Sequence, residues 1–178
     1  MNDDFCKWVA LLRGVNVGGA NKVTMANLRA LAEGLGWQDV RSYIASGNLV
    51  FEAPVGSSAG NLAAALRLAL IAQMGVDVAI RVMPCEEIAR AVAACPWTAQ
   101  GNLVHVFFCW DAPKVDTELR NSVIAPDEEL VVQGNRVWLY APSGVARSSL
   151  LTKMDRVLGV QTTARNLNTL RKLAEMVR

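Results

Sequence analysis

The chain contains one histidine, no cysteine pair at metal-binding spacing and no long hydrophobic run. His105 is the single histidine in 178 residues, and the four cysteines lie far apart, at Cys6, Cys85, Cys95 and Cys109. This spacing excludes a zinc knuckle and a dithiol redox motif. Any Ser-His-Asp or Cys-His site would have to use His105. The sequence therefore predicts reduced thiols, no metal site and no cofactor, and it supplies no complete set of catalytic residues.

The chain also carries little excess charge. Its formal net charge is +2, which is too small to predict a long nucleic-acid track, because phosphate-driven binding needs a strongly basic face. No apolar run reaches the ~18 residues of a membrane span, and the first four residues include two aspartates where a signal peptide is basic. With 52% hydrophobic residues, the composition is that of a globular chain. We expect a cytoplasmic protein without a membrane partner.

The predicted elements repeat in the same order along the chain. The first half reads as strand 7–13, helix 25–34, strands 40–45 and 49–52, a helix ending at 74, and strand 78–83. The second half reads as strand 103–110, helix 115–123, strands 129–133 and 137–140, helix 148–158, an extended segment 161–164, and a final helix from about 167. Between the halves, Pro84 can begin a connecting helix that runs to Ala94, because its missing N–H costs nothing in a first turn.

Two hairpin turns support the repeat, since Gly47-Asn48 and Gly134-Asn135 occupy corresponding positions. The order predicts an α+β fold of two tandem ferredoxin-like (βαββαβ) α/β plaits. Residues 1–84 are the first half, 85–97 the connecting helix, and 98–178 the second half with an extra C-terminal helix. The first strand of each half is apolar on both sides. We therefore expect both faces of each sheet to be covered, by the other half or by a second subunit.

A glycine-rich loop between the first strand and first helix carries the most informative residues, Arg13, Asn16, Gly18, Gly19 and Lys22. Its glycines miss the GxGxxG fingerprint, and no Gly-Lys-Ser/Thr closes it. One interpretation is a tight crossover in which glycines supply unusual dihedral angles and asparagines satisfy backbone groups. The other is an anion-binding loop with charge from Arg13 and Lys22. Arg13 favours the second, because an arginine ending an apolar strand needs a partner.

Two further groups of polar residues are candidates for the same ligand. Ser46 and Asn48 flank the first hairpin turn, where turn chemistry explains them better than contact with a ligand does. The first and third strands are neighbours in a ferredoxin-like half, so these two residues should lie near Arg13 and Asn16. The second group, in the C-terminal half, comprises Arg147, Ser148, Arg165 and Asn166.

Two members of that second group are explained without a ligand. Ser148 and Asn166 are predicted helix N-caps. The two arginines are harder to explain, because a cation at a helix start opposes the dipole unless an anion answers it.

His105 is the most obvious candidate base. It alternates with Leu103, Phe107 and Cys109 on one strand face, and the simplest interpretation is a satisfied core histidine. The alternative, a general base, needs a carboxylate partner that the sequence does not identify. Asp39 and Asp155 are the other candidate bases.

Several motifs, in the right order, resemble the family catalogued as domain of unknown function 1697 (DUF1697), which is found mainly in bacteria. They are Ala10 to Gly19 (ALLRGVNVGG), Met25 with Leu28-Arg29, Tyr43 to Phe51 (YIASGNLVF), His105-Val106, Tyr140 to Ser148 (YAPSGVARS) and Thr163 to Thr169 (TARNLNT). The resemblance implies two ferredoxin-like halves and no established activity.

These observations leave three hypotheses for function. The leading one is binding of a small anionic ligand, such as a nucleotide or phosphate ester, at the Arg-, Asn- and Gly-rich loops. The first alternative is RNA binding through the tandem halves, which rests on fold analogy. The second is an enzyme that acts on a phosphorylated substrate.

Overall fold

A computed structural model of the protein describes residues 4–178, which form eight strands, six α-helices and one 3-10 helix. The strands are β1 (Phe5–Leu12), β2 (Gln38–Ser42), β3 (Asn48–Pro54), β4 (Ile80–Pro84), β5 (Val104–Cys109), β6 (Glu129–Gln133), β7 (Arg136–Tyr140) and β8 (Thr162–Asn166). The helices are α1 (Met25–Gly34), α2 (Ala59–Met74), α3 (Cys85–Ala93), α4 (Thr117–Val123), α5 (Ser149–Leu158) and α6 (Leu167–Met176), with the 3-10 helix at Val145–Arg147. Every predicted element is present.

The chain divides into two compact units. One comprises the chain up to Arg90 together with Leu173–Arg178, and the other is Ala91–Lys172. Each contains a four-stranded antiparallel sheet, with strand order β2-β3-β1-β4 in the first and β6-β7-β5-β8 in the second. The α+β class with two antiparallel sheets is therefore confirmed.

In the first unit, α1 and α2 pack on one face of the sheet. The Thr24 hydroxyl caps α1 by accepting from the Asn27 N–H at 3.1 Å, and Ser58 caps α2 in the same way. Their leucines meet alternate residues of the central strand, in a core built from Trp8, Ala10 and Leu12 of β1, Leu28 and Leu31 of α1, and Leu62, Leu66 and Leu70 of α2. Because successive side chains of a strand point to opposite faces, every second residue of β1 faces the two helices.

In the second unit, α4 and α5 cover one face of the sheet in the same manner. Phe107 of β5 and Leu139 of β7 share a core with Leu150 and Met154 of α5. Gly159 ends α5 in the left-handed conformation (φ 64°) that a helix C-terminus commonly needs.

The opposite face of each sheet is buried as well. Val9 and Val50 in the first sheet, and Val106, Phe108 and Trp138 in the second, are each at most 2% exposed within the single chain. Residues on both faces of each sheet are therefore buried, as the apolar strands predict.

Two cations of the first unit bind carbonyl groups at the end of α6 and just beyond it. Lys7 Nζ donates to the Val177 carbonyl oxygen at 3.2 Å, and Arg41 Nη2 donates to that of Met176 at 2.7 Å. Positive charge is favourable at a helix C-terminus, where carbonyl groups lack partners within the helix. The C-terminal residues are thereby fastened to β1 and β2.

Pro84 is one local correction. The sequence predicts it as the first residue of the connecting helix, but it ends β4 and lies opposite Trp8. Because β4 is an edge strand, proline can be accommodated there without removing an inner ladder bond.

Candidate functional site

The loop between β1 and α1 is a short hairpin with two glycines in its turn. The Ala20 N–H donates to the Val17 carbonyl at 3.1 Å, and the Asn16 N–H donates to that of Asn21 at 3.2 Å. Gly18 and Gly19, between the two arms, have φ angles of 58° and 81°. Positive φ at both central residues is the signature of a type I′ turn, which glycine adopts without steric cost. The glycines therefore turn the chain, as the crossover interpretation predicts.

Asn16 ties this hairpin to its surroundings. Its Nδ2 donates to the carbonyl oxygens of Val23 at 2.8 Å and Ala45 at 2.7 Å, and its Oδ1 accepts from the Val23 N–H at 2.9 Å. Both amide hydrogens are therefore used by backbone carbonyls. Asn16 therefore positions the loop, and its role as a ligand contact stays a prediction.

The turn between β2 and β3 lies directly beside the hairpin. The Leu12 N–H donates to the Gly47 carbonyl at 2.8 Å. A Cβ at Gly47 would lie 2.7 Å from Leu12 Cβ and from Val15 Cγ2, and its φ is 78°. Glycine is required here for both reasons.

Asn48 holds the same turn from within. It is fully buried, and its Nδ2 donates to the Tyr43 carbonyl at 2.9 Å and to Ser46 Oγ at 3.0 Å. Asn48 lies opposite Leu11 on β1. The turn chemistry predicted for Ser46 and Asn48 is present, and strand pairing brings both residues to the end of the sheet where Arg13 leaves β1.

The hairpin presents hydrogen-bond donors to solvent. Gly18, Gly19 and Lys22 are exposed, and no hydrogen bond within residues 4–178 uses their peptide N–H groups. The Lys22 ammonium likewise has no carboxylate partner in that range. Arg13 is half-buried, and its peptide N–H donates to the Ala79 carbonyl at 2.9 Å. The same loop therefore combines two exposed glycines, whose peptide N–H groups are unbonded within residues 4–178, with an exposed lysine.

Two members of the second predicted group of ligand residues cap helices. Ser148 Oγ accepts from the Leu151 N–H at 3.0 Å and caps α5, and Asn166 Oδ1 accepts from the Thr169 N–H at 2.8 Å in the first turn of α6. Both N-cap predictions are confirmed. Arg147, in the 3-10 helix, is exposed.

Arg165 lies within β8 and is only 8% exposed. Its Nη1 donates to Thr163 Oγ1 at 3.1 Å and to the Ala164 carbonyl at 2.7 Å. Burial lowers the pKa of the guanidinium to about 10. Because Arg165 is buried and Arg147 is exposed, the two arginines do not present one accessible basic surface.

His105 differs from the expected satisfied core histidine. Its Nδ1 is buried and has no hydrogen-bond partner within residues 4–178. Burial lowers the pKa of the imidazole to about 4, so the ring is neutral at pH 7. It lies opposite Leu139 on β7 and Asn166 on β8. The prediction of a hydrogen-bonded ring is therefore wrong for Nδ1.

The two other candidate bases make structural contacts. Asp155 Oδ1 accepts from the Thr162 N–H at 3.1 Å and from its hydroxyl at 2.7 Å. Asp39 pairs with Arg41 at 2.9 Å. Each carboxylate thus has a role in holding the local fold.

The described part of the chain contains no metal-binding cluster. No group of three His, Cys, Asp or Glu side chains within residues 4–178 is placed to hold a metal ion. All four cysteines are free thiols, as expected. Burial raises the pKa of the Cys85 thiol to about 11, which suppresses its nucleophilic form. Over the same range, no helix combines the length and apolar character that a membrane crossing requires.

Sequence reasoning missed two apolar residues on the loop surface. Val17 is 66% exposed and Ile44 is 50% exposed. Ile44 also has a φ of 48°, a left-handed conformation that β-branched residues rarely adopt. Valine and isoleucine normally predict strand, so no sequence signal marks these positions as loop residues exposed to solvent.

The protein is thus an α+β protein with two units of the same strand order. In the first unit, a hydrogen-bonded hairpin follows β1 at one end of the sheet. The chain belongs to the family described as protein of unknown function (DUF1697), whose model matches residues 6–138. Its fold is similar to that of a conserved bacterial protein from Streptococcus pneumoniae. That likeness has a TM-score of 0.73 at 24% identity, covering 98% of this chain and 99% of the other. No curated protein matches the chain.

Proposed function

We propose that the protein binds a small phosphate-bearing anion at the hairpin loop of residues 13–22. The observation that carries the proposal is the exposed pair of peptide N–H groups at Gly18 and Gly19, with the Lys22 ammonium in the same loop. Peptide N–H groups in successive turn conformations form concave sites for anions. A lysine in the same loop can add a charge-assisted hydrogen bond.

The fixed geometry of the loop supports binding. Three hydrogen bonds of Asn16 hold the hairpin against Val23 and Ala45, and the close approach of Gly47 to Leu12 leaves the neighbouring turn little freedom. Donors that are already positioned lose less entropy when a ligand arrives. A loop whose donors are already in place can therefore bind an anion more tightly than a mobile loop can.

We also infer that each unit is a ferredoxin-like half. The strand orders β2-β3-β1-β4 and β6-β7-β5-β8 support this, as does the placement of one helix after the first strand and one after the third of each unit. A bacterial, cytoplasmic setting stays a prediction.

No observation favours the two alternative functions. RNA-binding ferredoxin-like domains stack bases on aromatic residues of the exposed sheet face, and here Val9, Val106 and Phe108 on the corresponding faces are buried. For an enzyme, the candidate base His105 lacks an identified carboxylate partner. Binding of a small anion is therefore better supported than RNA binding or catalysis.

Thermal denaturation with a ligand panel tests the proposal. Inorganic phosphate, glycerol phosphate, phenyl phosphate and nucleoside phosphates should be compared for the rise in melting temperature. We expect at least one to raise it, since saturation at a hundredfold Kd stabilises a protein by about 2.7 kcal/mol.

Lys22→Gln should reduce that rise, whereas Lys153→Gln, at an exposed lysine on α5, should leave it intact. If no compound raises the melting temperature, or if both variants respond like the wild type, the proposal is wrong.

A further inference from the structure

The loop surface exposes two large apolar side chains whose placement folding alone does not explain. Val17 and Ile44 are 66% and 50% exposed. Single exposed apolar residues are ordinary, but these two flank a hydrogen bond that joins their loops. Each is the chain neighbour of one end of the hydrogen bond between Asn16 Nδ2 and the Ala45 carbonyl, which measures 2.7 Å. The two residues therefore lie on loops that are tied to each other.

Ile44 gains little from its own position in the folded chain. Its backbone φ of 48° disfavours an L-residue with a branched Cβ by about 1 kcal/mol or more, and half of its surface stays in water. Glycine or asparagine would adopt this conformation more easily. An apolar side chain here is better explained by contact with something outside the chain.

The charge and donors of the same loop indicate what that contact is. Val17 immediately precedes Gly18, whose N–H is exposed together with that of Gly19 and the Lys22 ammonium. A ligand that satisfies both features has an anionic head and an apolar body.

We infer that the ligand is an organic phosphate whose ring, as in a nucleoside or aryl phosphate, packs against Ile44 and Val17. This rests on the proposed anion site. Covering part of two aliphatic side chains with a ring should make such a phosphate bind on the order of tenfold more tightly than inorganic phosphate.

Calorimetric titration at about pH 8, where phosphate monoesters are dianions, separates the contribution of the phosphate group to affinity from that of the ring. The probes are inorganic phosphate, glycerol phosphate, phenyl phosphate and adenosine monophosphate. Glycerol phosphate controls for esterification without a ring, and the last two probes distinguish an aryl from a nucleoside source. The variants are Ile44→Asn, which suits the left-handed backbone, and Val17→Ser. The control is Leu68→Ser, because Leu68 on α2 is also 66% exposed.

The expected result is a preference of about tenfold for at least one ring-bearing phosphate over both inorganic and glycerol phosphate. Ile44→Asn and Val17→Ser should reduce it severalfold while leaving inorganic phosphate binding unchanged, and Leu68→Ser should retain it.

The inference alone is wrong if inorganic phosphate binds at Lys22 as tightly as the ring-bearing probes. It is equally wrong if the preference survives in both loop variants or is lost in Leu68→Ser as well. If none of the four probes binds, the anion site and this inference fail together.

Discussion

The side-chain amide of Asn16 and the backbone carbonyl of Ala45 form a 2.7 Å hydrogen bond that joins two loops 29 positions apart in the chain. The same amide is bonded through both its nitrogen and its oxygen to Val23. One side chain thus connects the hairpin after β1, the start of α1 and the turn before β3. The exposed donors of Gly18 and Gly19 depend on this support for their position.

Asn16→Ala should destabilise the protein by about 2 to 3 kcal/mol, because three hydrogen bonds are lost and alanine tolerates a φ of 56° poorly. Urea denaturation measures the change in the free energy of unfolding. Asn102→Ala, at an exposed loop position, should have little effect. Equal losses in the two variants would contradict the supporting role of Asn16.

Ile44→Asn should stabilise the protein by up to about 1 kcal/mol, since asparagine relieves the left-handed strain at little cost in packing. The matched control is Val132→Asn. Val132 is 45% exposed but lies within β6, where asparagine is unfavourable, so the control should be less stable than the wild type. A lower melting temperature for Ile44→Asn would show that the isoleucine packs better than its exposure indicates.

Much of the fold follows from local sequence signals. The bounds of α1 were predictable because Thr24 can cap it, leucines recur at helical spacing and glycines follow. The bounds of β6 followed from its apolar run and the Gly134 turn. Pro84 was misassigned because proline suits a helix start and an edge strand alike, and only the strand order shows that β4 is an edge.

The candidate site was only partly predictable. The position of Ser46 and Asn48 near the end of β1 could be predicted, because the first and third strands are neighbours in the fold that the element order indicated. By contrast, the three bonds of Asn16 and the left-handed backbone of Ile44 depend on contacts between segments distant in sequence. Burial of Arg165 was equally hidden, since a charged residue usually indicates exposure.

The neutral state of His105 makes stability depend on pH. Burial lowers its pKa from 6.5 to about 4, so between these values the unfolded chain binds a proton that the folded chain does not. The stability contribution is therefore fully present above pH 6.5 and is lost as pH falls toward 4.

Over that range the wild type should lose up to about 3 kcal/mol more than His105→Leu. Denaturant unfolding at several pH values measures how the free energy of unfolding changes with pH in each protein. Parallel pH profiles for the two proteins would mean that His105 titrates normally.

Arg41→Met should lower the free energy of unfolding by about 1 kcal/mol, because it removes the hydrogen bond to the Met176 carbonyl at the end of α6. Arg67→Met is the control. Arg67 also pairs with a carboxylate, that of Asp77 at 2.6 Å, but the pair is exposed to solvent, so its loss should matter little. If the two variants are equally stable, the attachment of the C-terminal helix does not depend on Arg41.

The most direct test of anion binding at the hairpin is an NMR titration of the ¹⁵N-labelled protein with phenyl phosphate and with inorganic phosphate. We predict saturable shifts of the Gly18 and Gly19 amide resonances. Gly134, in the exposed turn between β6 and β7 with a φ of 59°, should not move. Unchanged Gly18 and Gly19 resonances, or equal shifts at Gly134, would contradict the account.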